Sequence, residues 1–139
     1  MPGSNGIFLP TSGLFGVGTD IVEIERVKQA AVRSGGRFLK RVFTISERNF
    51  CDARRDRFAC YAARFAAKEA VFKAIGTGLA GSRWTDVEIG RKTGGCPTVL
   101  LHGAAAAVAE ERGIGRVLLS LSHDRDRALA FVVAEREEA

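Results

Sequence analysis

The residues best suited to chemistry lie between Arg64 and Gly78, in the run RFAAKEAVFKAIGTG. It carries three cations, Arg64, Lys68 and Lys73, and one carboxylate, Glu69. Glu69 and Lys73 are four residues apart and share a helix face, and Arg64 and Lys68 form a second such pair beside them. A carboxylate can hold a hard divalent cation while neighbouring bases neutralise phosphate oxygens. The same spacing also decorates ordinary solvated helices, so the run alone leaves both readings standing. A second carboxylate, Asp20, falls near the end of a predicted strand, where a side chain is rigidly mounted. Taken singly, such a residue is more often a turn or cap. Together, Asp20 and Glu69 supply two oxygen ligands from different elements. Magnesium takes one or two carboxylates and completes its octahedron with water and substrate phosphate.

The remaining inventory narrows the choice. His102 and His123 are the two histidines and no cysteine cluster exists, which disfavours a soft or borderline metal. Cys51, Cys60 and Cys96 are odd in number and lack C-x-x-C spacing. That argues against a disulfide framework or zinc, and for reduced cytosolic thiols packed as small apolar groups. His123 follows Ser122 at a strand end and enters a charged turn, a setting that suits hydrogen bonding to phosphate or sugar. A lone histidine is more often structural or solvated. His102 receives no role. Gly76-Thr77-Gly78 can let backbone N–H groups approach a phosphate or an adenine, and is equally an ordinary C-cap and loop. No Walker motif occurs. Arg26, Lys28, Arg33, Arg37, Lys40 and Arg41, with Phe38 and Phe43 interleaved, read as a solvated basic face or as a dock for an acidic partner. The net charge of +5 favours anionic partners without choosing among nucleic acid, phosphate-rich cofactors, acidic proteins and lipid.

The elements that must position these residues follow from pattern. A chain of 139 residues suits one domain, and 46% hydrophobic residues argue against wholesale disorder. No apolar run is long enough to span a membrane. Residues 1–13 have no basic start followed by an apolar segment and read as a flexible leader or expression remnant, leaving 14–139 as the single domain. Leu14 to Val22 is predicted as a strand, with glycines at 16 and 18 where another backbone can come close. A short helix from Glu23 to about Val32 ends at Ser34-Gly35-Gly36, and a second spans Arg37 to Phe43. Thr44 and Glu47 have capping-box spacing. The long helix runs from Asp56 to Ile75, with Phe58, Tyr61, Phe65, Phe72 and Ile75 available for burial. Trp84 to Arg91 and Thr98 to Leu101 form a hairpin about Gly94-Gly95. Ala104 to Arg112 is helical, and Val117 to Ser122 and Ala128 to Ala134 are paired strands. The order implies an α+β fold with a small, mainly antiparallel sheet packed on the long helix.

Five blocks, GVGTDIV from Gly16, FTISE from Phe43, RFAAKEA from Arg64 through to Gly78, WTDVE from Trp84 and SLSH from Ser120, occur in that order. In this the chain resembles the small type of 4′-phosphopantetheinyl transferase, the holo-[acyl-carrier-protein] synthase family, over about residues 14 to 135. The resemblance implies that family's fold. It also implies Mg²⁺-dependent transfer of the phosphopantetheine arm of coenzyme A to a serine of acyl carrier protein, releasing adenosine 3′,5′-bisphosphate, in support of fatty-acid or polyketide synthesis in the cytoplasm. By position it implies Asp20 and Glu69 as metal ligands, Lys73 at the phosphate and His123 near the nucleotide. Glu69 and Lys73 become the expected catalytic residues. Arg64, Lys68, Lys73, Gly76, Thr77, Ser122 and His123 become the expected coenzyme A contacts, and Arg26, Arg37 and Arg41 the expected carrier dock. The short type is expected as a homotrimer with sites at subunit interfaces. A nucleic-acid binder is the competing class. The basic residues share space with a carboxylate pair and no RNA-recognition or zinc-finger motif is present, which argues against it and against a membrane partner. A subunit that kept the fold and lost the chemistry is opposed by the intact Asp20, Glu69 and Lys73.

Overall fold

The computed structural model of the chain describes Gly6, residues 13–79 and residues 81–138. The leader expected over residues 1–13 therefore lies outside the described residues, except for Gly6 and Gly13. In order, the elements are β1 (Leu14–Glu23), α1 (Ile24–Arg33), α2 (Arg37–Val42), α3 (Ile45–Asp52), α4 (Arg57–Ile75), β2 (Val87–Arg91), β3 (Pro97–Leu101), α5 (Gly103–Glu111), β4 (Ile114–His123) and β5 (Arg127–Arg136). Strands β1, β5 and β4 form an antiparallel sheet with β5 in the centre, and β2 and β3 form a separate hairpin. The α+β expectation is met.

Helix α4 organises the molecule. Its alanines let other backbones close in, and Ala62, Ala63, Ala66, Ala67, Ala70 and Ala74 are all buried. A helix buried on several sides shows little amphipathic contrast, because the sheet covers one face and α1, α3 and β2 cover others. Gly16 and Gly18 of β1 point at this helix. A Cβ at either would run into the carbonyl oxygen of Ala74 or Ala70 respectively. The match is one of rise: two strand residues advance about 6.7 Å and four helical residues about 6 Å. Alternate strand positions therefore stay in step with successive helical turns. Next in that series is Asp20, which shares the helix-facing side of the sheet with Gly18 and pairs with buried Ala130.

The opening of α3 follows the capping box. Thr44 Oγ1 accepts the Glu47 N–H, and the Glu47 carboxylate accepts the Thr44 N–H. One expectation needs correction. The segment predicted as a strand from Trp84 begins instead with a 3₁₀ turn, Trp84–Asp86, before β2 starts at Val87. The cause is local: the Asp86 carboxylate accepts the Arg83 N–H. The Trp84 ring also packs beside Phe65 and Phe72, with centroids 5.0 and 6.1 Å away. Of the long-helix side chains offered for burial, Tyr61, Phe72 and Ile75 are buried, while Phe58 and Phe65 are half-buried.

Candidate active site

Helix α4 presents its charged residues on two sides, and the two sides do different things. Glu69 and Lys73 emerge beside the end of β1. Lys73 Nζ donates to Asp20 Oδ1 at 3.2 Å and to the Thr19 carbonyl at 2.9 Å. An ammonium has three N–H donors, so one remains for a ligand. The Lys73 side chain is 53% exposed and that of Asp20 18%. Burial, and then the charge of Asp20, push the Glu69 pKa up, against a lowering influence from Lys73. Asp20 and Lys73 thus meet at an open surface, with Glu69 near enough to feel the charge of both. Among the described residues no three His, Cys, Asp or Glu side chains converge as a protein-only metal cage. Two carboxylate oxygens with room for water and phosphate are the donor set that Mg²⁺ accepts, and they fit no soft metal.

The opposite side of α4 corrects two sequence expectations. Lys68 is expected among the coenzyme A contacts, yet its side chain is fully buried. Its Nζ donates to Glu47 Oε1 at 2.8 Å, to the Trp84 carbonyl at 3.2 Å and to the Val87 carbonyl. All three donors are used, so none is left for a phosphate. Burial lowers the Lys68 pKa and Glu47 opposes that. The other Glu47 oxygen accepts the Ile89 N–H at 2.8 Å. Lys68 and Glu47 therefore tie α4, α3 and β2 together. Arg64, also placed at coenzyme A, is 3% exposed and turned inward. Its Nη1 meets Cys60 Sγ at 3.2 Å and its guanidinium lies 4.4 Å from the centre of the Phe50 ring. The i,i+4 spacing was correct, but which side of the helix met solvent was decided by packing.

Ser122 and His123 lie at the end of β4 and are exposed. Ser122 pairs with Leu129, and Leu129 with Ile21, all on the sheet face turned away from α4. A hollow of about 290 Å³ there is lined by Ile21, Ser122, His123 and Arg127 among others. A single chain therefore keeps Ser122 on the opposite face of the sheet from Glu69. Gly76 and Thr77 follow α4 directly. Gly76 adopts φ +91°, and its N–H bonds to the Phe72 carbonyl as a helix stop. Arg26 lines a groove of about 430 Å³ floored by Val27, Phe38 and Phe65, while Arg37 and Arg41 flank a neighbouring hollow along Phe38. The three arginines of the expected dock thus surround one apolar wall.

Sequence reasoning missed three supporting contacts. His102, given no role, meets Glu88 Oε1 at 2.9 Å, and the other Glu88 oxygen accepts Thr44 Oγ1 at 2.8 Å. The hydrogen bond from His102 is the main cause holding the Glu88 pKa below the usual carboxylate range. Arg112 Nη1 donates to the Ile75 carbonyl at 2.7 Å, capping α4 beside Gly76. Cys96, expected to pack as an apolar group, is exposed. No local pattern announces any of these, because each joins residues far apart in the chain or depends on a turn.

The fold and this cluster have known counterparts. The model of the 4′-phosphopantetheinyl transferase superfamily matches residues 16–132, and the chain belongs to that superfamily of transferases. Among its curated relatives, the holo-[acyl-carrier-protein] synthase of Desulforudis audaxviator is 57% identical over 121 residues, covering 87% of this chain and 92% of that protein. That of Koribacter versatilis is 47% identical over 123 residues, covering 88% and 98%. Among solved structures, the holo-[acyl-carrier-protein] synthase of Neisseria meningitidis superposes with a TM-score of 0.83 at 39% identity, covering 88% of this chain and 99% of that one. The Helicobacter pylori enzyme in complex with coenzyme A superposes with a TM-score of 0.76 at 30% identity, covering 85% and 98%.

Proposed function

We propose that the protein transfers the 4′-phosphopantetheine arm of coenzyme A to a serine of an apo acyl carrier protein, releasing adenosine 3′,5′-bisphosphate. The observation that carries this reading is the meeting of Asp20, Glu69 and Lys73 on a framework shared with synthases, one of them solved with coenzyme A. Mg²⁺ held by Asp20 and Glu69 would supply charge neutralisation at the diphosphate. The chain's own residues do the rest. Lys73 offers its free N–H to the phosphoryl group that moves, where negative charge is spread in the transition state. Asp20 and the Thr19 carbonyl hold that ammonium in place. Glu69, with its raised pKa, is suited to accept the serine proton directly or through water. The backbone after Gly76, and Thr77, would meet the nucleotide. Arg64 and Lys68 support α4 from within rather than touching coenzyme A.

The outer face of the sheet favours an assembly. Val17, Ile21, Leu118, Leu129 and Phe131 are exposed together there, a patch that a lone chain would leave in water. A second copy covering it would bring Ser122 and His123 of one chain towards the acid pair of the next, as a homotrimer with sites between subunits does. Acidic carrier protein then meets the Arg26, Arg37 and Arg41 surface. No described helix is long and apolar enough to cross a membrane. Cytoplasmic action in fatty-acid or polyketide synthesis completes the reading. Mass spectrometry of an apo carrier protein incubated with coenzyme A, Mg²⁺ and this protein tests it. One serine gains the pantetheine arm, and an unmodified carrier protein would refute the assignment.

A further inference from the structure

The end of α4 is held by a side chain from another element. The Gly76 and Thr77 N–H groups both bond the Phe72 carbonyl, at 2.9 and 3.3 Å. The Ile75 carbonyl lies beyond these bonds, at the negative end of the helix dipole. Arg112 meets it there: Nη1 donates to the Ile75 carbonyl at 2.7 Å, a charge-assisted hydrogen bond. Gly76 is fitted to this contact in two ways. It adopts φ +91°, and a Cβ on it would lie 2.9 Å from Arg112 Nη1. The guanidinium thus takes the space of the side chain that Gly76 lacks.

The base of this strut is itself fixed. Arg112 follows α5 directly, and its N–H bonds the Val108 carbonyl at 3.0 Å. The next residue, Gly113, accepts the Glu137 N–H at 2.7 Å just past the end of β5. Ala105 and Ala109 of α5 are buried in the same apolar cluster as Ile75. Gly76 comes three residues after Lys73 and seven after Glu69, so the three share one side of α4. The backbone that leaves this side bonds locally beyond Gly76, with the Thr77 hydroxyl on the Gly78 carbonyl at 2.8 Å. Arg112 ties its first step to α5.

We propose that Arg112 is a positioning residue for coenzyme A, setting the path of the Gly76-Thr77-Gly78 backbone through its bond to the Ile75 carbonyl. This rests on the function proposed above, in which that backbone meets the nucleotide. Arg112 acts on the loop and not on the reacting atoms. Its loss weakens coenzyme A binding and leaves Glu69, Lys73 and the carrier dock as they are.

The test compares the full chain with Arg112→Met, which keeps an apolar stem and removes the donors, and with Arg112→Lys, which keeps a cation and a donor. Calorimetry gives the Kd for coenzyme A in the presence of Mg²⁺, and transfer kinetics give kcat and both KM values. In Arg112→Met the Kd and KM for coenzyme A rise at least about tenfold, the size of one lost hydrogen bond to a charged group. Its kcat stays within about twofold of wild type, and the KM for carrier protein does not change. Arg112→Lys recovers most of the loss. Hydrogen exchange speeds up over residues 76–79 in Arg112→Met, while the middle of α4 keeps its protection. A wild-type Kd in Arg112→Met would overturn the proposal, as would a fall in kcat with coenzyme A affinity intact. Circular dichroism checks folding. If Arg112→Met does not fold, wild-type exchange decides: coenzyme A must slow the amides of Thr77 and Gly78, and unchanged exchange there would overturn the proposal. A wild type that binds coenzyme A without loading carrier protein refutes the function alone, because the Kd comparison still decides the role of Arg112. One that does not bind coenzyme A refutes both.

Discussion

Glu69 is held between opposing demands. Burial and Asp20 favour its neutral form, whereas metal binding and proton acceptance need the carboxylate. The sign of its effect on folding follows. A carboxyl whose folded pKa lies above its unfolded value binds more protons folded, so its contribution to stability falls as pH rises from the unfolded pKa through the folded one. Glu69→Gln removes that penalty. Its melting temperature at neutral pH is expected to equal or exceed wild type by differential scanning calorimetry, while transfer falls at least about 100-fold. A variant that melts lower and still loads carrier protein would assign Glu69 to structure. Without Mg²⁺, the Glu69 carboxyl of the wild type should take up its proton at a pH above the ordinary glutamate range, followed by NMR titration of its side-chain carbon. Lys68 shows the converse case. Lys68→Ala leaves the Glu47 carboxylate buried without its partner and should cost about 3–5 kcal/mol in urea unfolding.

At the scale of elements, the site depends on how closely β1 lies on α4. Gly18→Ala places a methyl group into the Ala70 carbonyl, a collision with backbone that no side-chain rotation relieves. A loss of about 3 kcal/mol or more is expected in denaturant titration, with weakened Mg²⁺ dependence in whatever folds. Wild-type stability would show that the strand can move off the helix. Much of this was legible beforehand. Gly16 and Gly18 marked a close approach, the Thr44–Glu47 box marked the start of α3, and Gly76 marked the end of α4. The Asp20–Glu69–Lys73 cluster followed from strand end, helix face and family pattern. The sidedness of α4 was not legible, because Arg64, Lys68, Glu69 and Lys73 are all charged. Which pair faces inward is decided by α3 and β2, which bring Glu47 and two carbonyls to Lys68. The 3₁₀ turn at Trp84 was hidden for a similar reason, since its ring is held by Phe65 and Phe72.

For the whole molecule, the sheet presents apolar side chains outward and separates residues that the proposed chemistry needs together. Phe131 stands on the central strand of that face. Phe131→Glu is expected to give a folded monomer by analytical ultracentrifugation, without transfer activity, where the wild type is expected to sediment as a trimer. A wild-type chain that is monomeric and active would refute the shared site. The basic surface is tested separately. Arg26→Glu should raise the KM for carrier protein about tenfold or more, with coenzyme A binding unchanged. Loss of both would indicate misfolding instead.

The most direct measurement titrates coenzyme A into the protein by calorimetry, with and without Mg²⁺, for the wild type, Asp20→Asn and Glu69→Gln. Mg²⁺ should tighten binding at least about tenfold in the wild type and have no effect in either variant. The same gain from Mg²⁺ in all three proteins would contradict a metal site built from these two carboxylates.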